Sequence, residues 1–427
     1  VKKKAIKYSI VSEHLGLDNE KSLKNGQGDS LAALTHCLQA RDSGSSNYLV
    51  DRVSPEHSSL WNELVIEGPR RSGRTQNQIA IPGLLSAEVK YDVPFPPPKD
   101  PKFRFIDLFA GIGGMRLAFQ NAGGECVFSS EIDPFAKKTY QANFGEVPFG
   151  DITAIDENEI PDHDVLVGGF PCQAFSIAGK RLGFEEARGT LFFDVARILH
   201  AKKPAAIFLE NVKGLMNHKG GDTLRVILKI LREDLGYFVP DPKIVNAKYF
   251  GVPQNRERVF IVGFRDKKAA DAFAYPAQDK VQRRLSDILE ERPVPSKYYL
   301  STRYLESMRE HRRRHEAKGH GFGYEIIPKD GIANAIVVGG MGRERNLVID
   351  NRLTDRTPTT NIVGEINHEF VRRMTPREWA RLQGYPDKFR IVVSDAQAYK
   401  QFGNSVAVPA VLMIGKTIVK SIVLSNQ

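Results

Sequence analysis

Cysteine is scarce in this 427-residue chain, which holds only three: Cys37, Cys126 and Cys172. Three widely spaced thiols cannot build a disulfide framework. They also lack metal-ligand spacing, so disulfide scaffolds and zinc ribbons are excluded and no metal is expected. Long apolar runs are missing as well. No uninterrupted stretch reaches the ~18–20 residues of a spanning helix. Val406 to Gly415 comes nearest, but it contains Pro409 and is soon followed by Lys416. The opening Val1-Lys2-Lys3-Lys4 has no apolar core behind it and no small-residue cleavage site, so a secretory signal is not expected. These absences point to a soluble cytoplasmic protein without a membrane partner.

The chain has enough length for two to four domains and, at 41% apolar residues, a globular composition. Its charge is uneven. The 61 Lys+Arg exceed the 51 Asp+Glu, giving +10, yet residues 1–100 hold 13 basic and 12 acidic groups and so leave +9 for the rest. Arg283, Arg284, Arg303, Arg309, Arg312, Arg313 and Arg314 form one cluster. Arg343, Arg345, Arg352, Arg356, Arg372, Arg373, Arg377 and Arg381 form the next. The planar guanidinium matches phosphate oxygens and guanine edges, which suggests a polyanionic partner. A solvated helix face paired with Glu306 and Glu310 explains the charge equally well.

Residues 1–100 read as an accessory segment, with a short helix near Ser30–Gln39, leading into a stiff linker, Pro94-Phe95-Pro96-Pro97-Pro98-Lys99-Asp100-Pro101. From 101 to 264, apolar strands (Phe103–Leu108, Glu125–Ser129, Val165–Gly168, Ala206–Glu210, Val259–Phe264) alternate with helical patterns such as Gly113–Ala122 and Thr223–Leu235. That grammar predicts an α/β fold, a Rossmann-like parallel sheet with helices on both faces. Residues 265–371 break the rhythm and read as a small, mostly β or irregular domain. Helical pattern returns in 372–427, at Thr375–Leu382 and Ala407–Val423.

Phe109-Ala110-Gly111-Ile112-Gly113-Gly114 follows the first strand as a glycine-rich turn opening a helix. Such a turn lets backbone approach a ligand and offers free amides. Glu131, at the end of the next strand, suits a ribose diol. The third glycine of a dinucleotide fingerprint is missing, because Arg116 and Leu117 follow Met115, and this favours S-adenosylmethionine. Asp151 is a candidate for the adenine amine or, more plainly, a turn cap.

Chemistry concentrates at three further places. Pro171-Cys172-Gln173 sets a lone thiol just after a buried strand, followed by the basic loop Ser176-Ile177-Ala178-Gly179-Lys180-Arg181, surroundings that favour the thiolate. Cys37 and Cys126 read as inert apolar cysteines. Glu210-Asn211-Val212 ends the next strand, and Gln254-Asn255-Arg256-Glu257-Arg258 brings two guanidiniums to the last. A nucleophile, an acid and cations suit addition to an electron-poor ring. Glu210 in a merely structural ion pair with Arg256 or Arg258 is the plainer alternative.

The ordered series Phe109–Gly114, Pro171-Cys172-Gln173, Glu210-Asn211-Val212, Gln254-x-Arg256-x-Arg258 and Gln401-Phe402-Gly403-Asn404-Ser405 resembles that of the DNA (cytosine-5) methyltransferases, over 103–264 and 372–420. Inside the variable insert, Gly321–Glu325 and Gly339–Arg345 resemble the HpaII-type methylases that modify CCGG. The resemblance implies that Cys172 attacks carbon 6 of a flipped cytosine, that Glu210 bonds the ring nitrogen and exocyclic amine, and that Arg258 binds the 2-carbonyl oxygen. It implies support from Arg256 and Asn211. It assigns S-adenosylmethionine to Phe109, Ala110, Gly111, Ile112, Gly113, Gly114, Glu131, Ile132, Asp151, Ile152, Asn404 and Val406. Gln173, Ser176, Arg343 and Arg345 are the DNA-contact candidates, whereas Arg377 and Arg381 flank Trp379 and are expected to hold the small domain to the sheet. The expected partner is double-stranded DNA, met by a monomer in a bacterial cytoplasm with no protein partner required. An RNA (cytosine-5) methyltransferase, a Cys-dependent Rossmann oxidoreductase and a non-catalytic DNA-binding regulator are the rival readings.

Overall fold

The computed structural model describes residues 5–7, 32–33, 35–36, 88–90, 92–171, 191–278, 283–319, 323–339, 342–357 and 364–425. The chain divides into two compact units. One comprises Val1–Ile244, Arg258–Pro276 and Ile414–Gln427; the other comprises Val245–Glu257 and Ala277–Met413.

The first unit is built on a six-stranded sheet in the order β2-β1-β3-β4-β6-β5. Its strands are β1 Phe103–Leu108, β2 Gly124–Ser130, β3 Val165–Gly168, β4 Ala206–Val212, β5 Lys243–Asn246 and β6 Glu257–Phe264. Parallel pairing joins β1 to β2 and β3, and β3 to β4. The sheet is not wholly parallel, however, because β6 runs antiparallel to β4 with Val212 opposite Arg258. Strand composition could not reveal this, since strands covered on both faces are apolar throughout whichever way they run. On one face Ile106, Leu166, Ile207 and Ile261 join Phe192, Leu199, Ile227 and Leu231 in the main core. On the other, Phe105, Phe119, Phe208 and Phe260 form a chain of ring contacts 5.3–5.6 Å apart.

The helices of this unit include α1 Gly114–Asn121, α2 Pro134–Phe144, α3 Leu191–Lys202 and α4 Asp222–Lys229, the last running into a π-turn at Ile230–Asp234. Helix α2 carries both boundary signals: Asp133 caps the amides of Phe135 and Ala136, Pro134 follows, and Gly145 ends it at φ 73°. Cys126 is fully buried, and burial pushes its thiol pKa up, as expected of an inert apolar cysteine. In the accessory segment Ala32, Ala33, Thr35 and His36 are helical and buried, within the short helix read near Ser30–Gln39.

The second unit has short ladders, Leu347–Ile349 antiparallel to Val371–Arg373 and Gln254–Asn255 parallel to Ala333–Asn334. Its helices are Thr302–Glu316, Pro376–Leu382 and Asp395–Asn404. Thr302–Glu316 is the solvated helix face that Glu306 and Glu310 suggest; its apolar stripe is thin, with only Leu305 and Met308 buried along it. Thr375 and Glu378 cap the next helix reciprocally. The helical stretch Asp395–Ser425 is long and apolar enough to cross a membrane, but half of its most apolar window is buried within the protein, as in a core helix.

Candidate active site

The parallel strands β1 to β4 end along one edge of the sheet, where ligands of open α/β folds bind. After β1, Phe109 adopts φ 60° and Gly111 φ 54°. The Ala110 amide is held by the Ser130 carbonyl at 2.9 Å, and the Gly113 amide returns to Ala110 at 2.8 Å. A side chain at Gly111 would find open space but a disfavoured backbone. One at Gly113 would meet the Phe144 ring at 2.3 Å. Glu131, at the end of β2, accepts from the Gly111 amide (2.8 Å) and the Asp133 amide (2.7 Å), so it braces the turn. Burial pushes its pKa up, against the pull of these amides. Beside it Ile132 is 71% exposed. Asp151 does cap a turn: its Oδ1 accepts from the amide and hydroxyl of Thr153, at 3.0 and 2.9 Å. The Ile152 side chain is buried, and its carbonyl accepts from Arg197 at 2.6 Å.

The antiparallel course of β6 has a direct result. A strand running the other way begins where its neighbours end, so Arg258 stands at the same edge as Glu210. Arg258 Nε lies 3.0 Å from Glu210 Oε1, and both side chains are largely shielded from water. Asn211 donates to the Phe170 carbonyl (2.8 Å) and accepts from the Val212 amide (2.8 Å), tying β4 to the chain immediately before Pro171. Cys172, Gln173 and Ser176 lie outside the described residues.

Arg256 stands two positions before Arg258. Buried in the second unit, it donates to the carbonyls of Ile336 (2.8 Å), Gly403 (3.2 Å) and Ser405 (2.6 Å), fixing the turn that carries Asn404 and Val406. Asn404 is exposed at the end of its helix and Val406 is buried. Arg343 and Arg345 are both exposed. Glu344 between them is buried and held by Arg373 at 2.6 Å, which turns its neighbours outward. Arg343 lies 5.5 Å from the Tyr399 ring centre. Arg377 and Arg381 bond inside their own unit, to the Phe389 carbonyl and to Asp387.

A family model described as C-5 cytosine-specific DNA methylase matches residues 103–420. The chain belongs to that family. It is 66% identical over 325 residues to type II methyltransferase M.HpaII of Haemophilus parainfluenzae, covering 75% of this chain and 90% of the relative. It is 44% identical over 369 residues to M1.ScrFI of Lactococcus lactis subsp. cremoris, covering 84% and 90%. Among solved structures, S. pombe Dnmt2 methyltransferase shares the fold, with TM-score 0.55 at 20% identity over 76% of this chain and 98% of that one.

This DNA methylase uses S-adenosylmethionine. The edge fits such a ligand: an open glycine turn of raised φ, a carboxylate behind it and an exposed apolar side chain beside it. Bound there, the cofactor supplies a methyl group on a sulfonium. Sequence reasoning passed over the groups beneath this edge. Asp107, on β1, is 1% exposed; its Oδ2 accepts from the Arg116 amide (3.1 Å), and its Oδ1 has no partner among the described residues. Burial raises its pKa to about 8, so it holds its proton at neutral pH. An arginine amid Met115, Leu117, Ala118 and Phe119 was the available signal, because a buried guanidinium requires a buried acid, here Glu146 at 2.6 Å.

Proposed function

We propose that this methylase modifies carbon 5 of a cytosine flipped out of duplex DNA, within CCGG, and protects that DNA from a cognate restriction enzyme. The observation that carries the chemistry is the Glu210–Arg258 pair at the strand-end edge, next to the Asn211–Phe170 tie. Cys172 Sγ bonds to carbon 6 of the ring, and carbon 5 becomes electron-rich and takes the methyl group. Loss of the carbon 5 proton and of sulfur then restores the aromatic ring. Glu210 faces the ring nitrogen and the exocyclic amine. Arg258 serves two purposes, holding the Glu210 carboxylate and donating to the 2-carbonyl oxygen where negative charge develops. Asn211 orients the chain around both, and Arg256 stiffens its own turn.

Phe109, Ala110, Gly111, Ile112, Gly113, Gly114, Glu131, Ile132, Asp151 and Ile152 hold the cofactor, and Asn404 and Val406 keep the role that the family resemblance assigns. Gln173, Ser176, Arg343 and Arg345 contact DNA. The CCGG site is supported by 66% identity to M.HpaII, and the protective role by relatives named type II methyltransferases. The enzyme works as a monomer in the bacterial cytoplasm, with no protein partner.

The test is a CCGG duplex carrying 5-fluorocytosine, incubated with protein and S-adenosylmethionine. Fluorine cannot leave carbon 5 as a proton does, so a denaturation-resistant adduct is expected, and Cys172→Ser abolishes it. A folded, cofactor-bound wild type that forms no adduct on CCGG, or forms it instead on transfer RNA, overturns the reading.

A further inference from the structure

The accessory segment is tied into the first unit at a place that bears on the cofactor edge. His36 Nε2 lies 2.5 Å from Glu146 Oε1, with both side chains almost fully buried. His36 Nδ1 lies 2.8 Å from the Ala32 carbonyl. Thr35 Oγ1 accepts from the Val147 amide at 3.0 Å. Ala32 and Ala33 belong to the main core, and the His36 ring packs against Phe149 and Phe128, with centroids 5.1 and 6.3 Å apart.

Two routes lead from these contacts to the cofactor edge. Along the first, the chain from Glu146 reaches Phe149, whose carbonyl accepts from the Glu131 amide at 2.8 Å, and then Asp151. Along the second, the other Glu146 oxygen binds Arg116 Nη1 at 2.6 Å. Arg116 also donates to Tyr140 Oη at 2.9 Å, and its amide binds Asp107. Arg116 sits in the first turn of α1, directly behind Gly113 and Gly114. Burial opposes the Glu146 charge, but Arg116 and then His36 outweigh it and hold the carboxyl at a pKa of about 2.

We propose that the helical turn carrying Ala32, Thr35 and His36 fixes the S-adenosylmethionine edge from beneath, with His36 a positioning residue that acts through Glu146 on the Glu146–Asp151 segment and on the glycine turn. The proposal rests on the cofactor assignment above. It gives the accessory segment a part in methyl transfer without contact to either substrate.

The test uses the full-length protein and S-adenosylhomocysteine as the probe. His36→Ala raises the dissociation constant by about 10-fold, within the usual range of coupling between sites. It raises KM for S-adenosylmethionine far more than it lowers the rate at saturating cofactor, and His36→Gln, which keeps a donor for Glu146, recovers part of the loss. Thr35→Val, nearly isosteric, removes the acceptor of the Val147 amide and weakens binding in the same direction. Coupling is reciprocal, so in the wild type the probe slows hydrogen exchange at residues 32–36 as well as at 146–151. Unchanged exchange at 32–36 overturns the proposal even if a variant fails to fold, as does affinity within two-fold of wild type in folded His36→Ala and Thr35→Val. Failure of the wild type to bind the probe at all overturns the cofactor assignment too, a result separate from any difference between variants.

Discussion

In the first unit Arg116 and Arg258 each answer a carboxylate, Glu146 and Glu210, whereas in the second unit Arg352, Arg372 and Arg373 answer acids of their own framework. Arg372 is fully buried between Asp350 (3.0 Å) and Glu378 (2.8 Å), and Arg352 lies 2.8 Å from Asp350. Burial alone would raise the Asp350 pKa, but Arg352 and Arg372 hold it well below the usual carboxylate range. A surplus of arginine is therefore a poor map of where DNA lies. Arg343 and Arg345 differ from Arg352, Arg372 and Arg373 in exposure and not in composition.

Substitutions separate these roles. Arg372→Leu, which strands the buried Glu378 and takes one of two arginines from Asp350, should cost about 3–5 kcal/mol in urea unfolding. A loss below 1 kcal/mol would mean that the triad does not hold the second unit together. Glu210→Gln should leave unfolding nearly unchanged but slow methyl transfer at saturating substrates by about 100-fold or more. If instead stability collapses and the residual rate is normal, the pair with Arg258 is only structural.

Asp107→Asn probes the buried acid through pH. Its folded pKa of about 8 exceeds the ordinary value of 3.8, so the folded state keeps a proton that the unfolded state releases. Wild-type stability should then fall as pH rises from about 4 to 8, by about 2 kcal/mol between pH 6 and 8. The variant should lack that component, and parallel stability–pH curves would count against it. Arg345→Ala should lose about 1–3 kcal/mol of discrimination for CCGG over a one-base variant, read by competition binding, with unfolding unmoved. Arg309→Ala, which breaks an exposed pair with Glu369, should shift stability by less than about 1 kcal/mol.

Much of the first unit was legible because its signals are local. Apolar strands bounded by turns fell where expected: Phe103–Leu108 and Val165–Gly168 agree residue for residue, and the glycine turn follows the first strand. What escaped was pairwise information. Nothing in Val259–Phe264 says that it runs antiparallel, and nothing around His36 names Glu146, which lies 110 positions away. In the second unit, Thr375–Leu382 was readable from its cap and period. The helix Thr302–Glu316 was legible only as a charged face beside Glu306 and Glu310, because charged residues occupy most of its turns.

The β4–β6 ladder limits how the enzyme can change its length. Side chains alternate along a strand, so adding or removing one residue within Glu257–Phe264 would turn Arg258 to the opposite face of the sheet and dissolve its pairing with Glu210. No later substitution at a single position repairs such a shift. Loops of the second unit, such as that at 385–393, carry no comparable parity rule. Changes of length are thus most easily tolerated there, while the β4–β6 ladder evolves by exchange of residues alone.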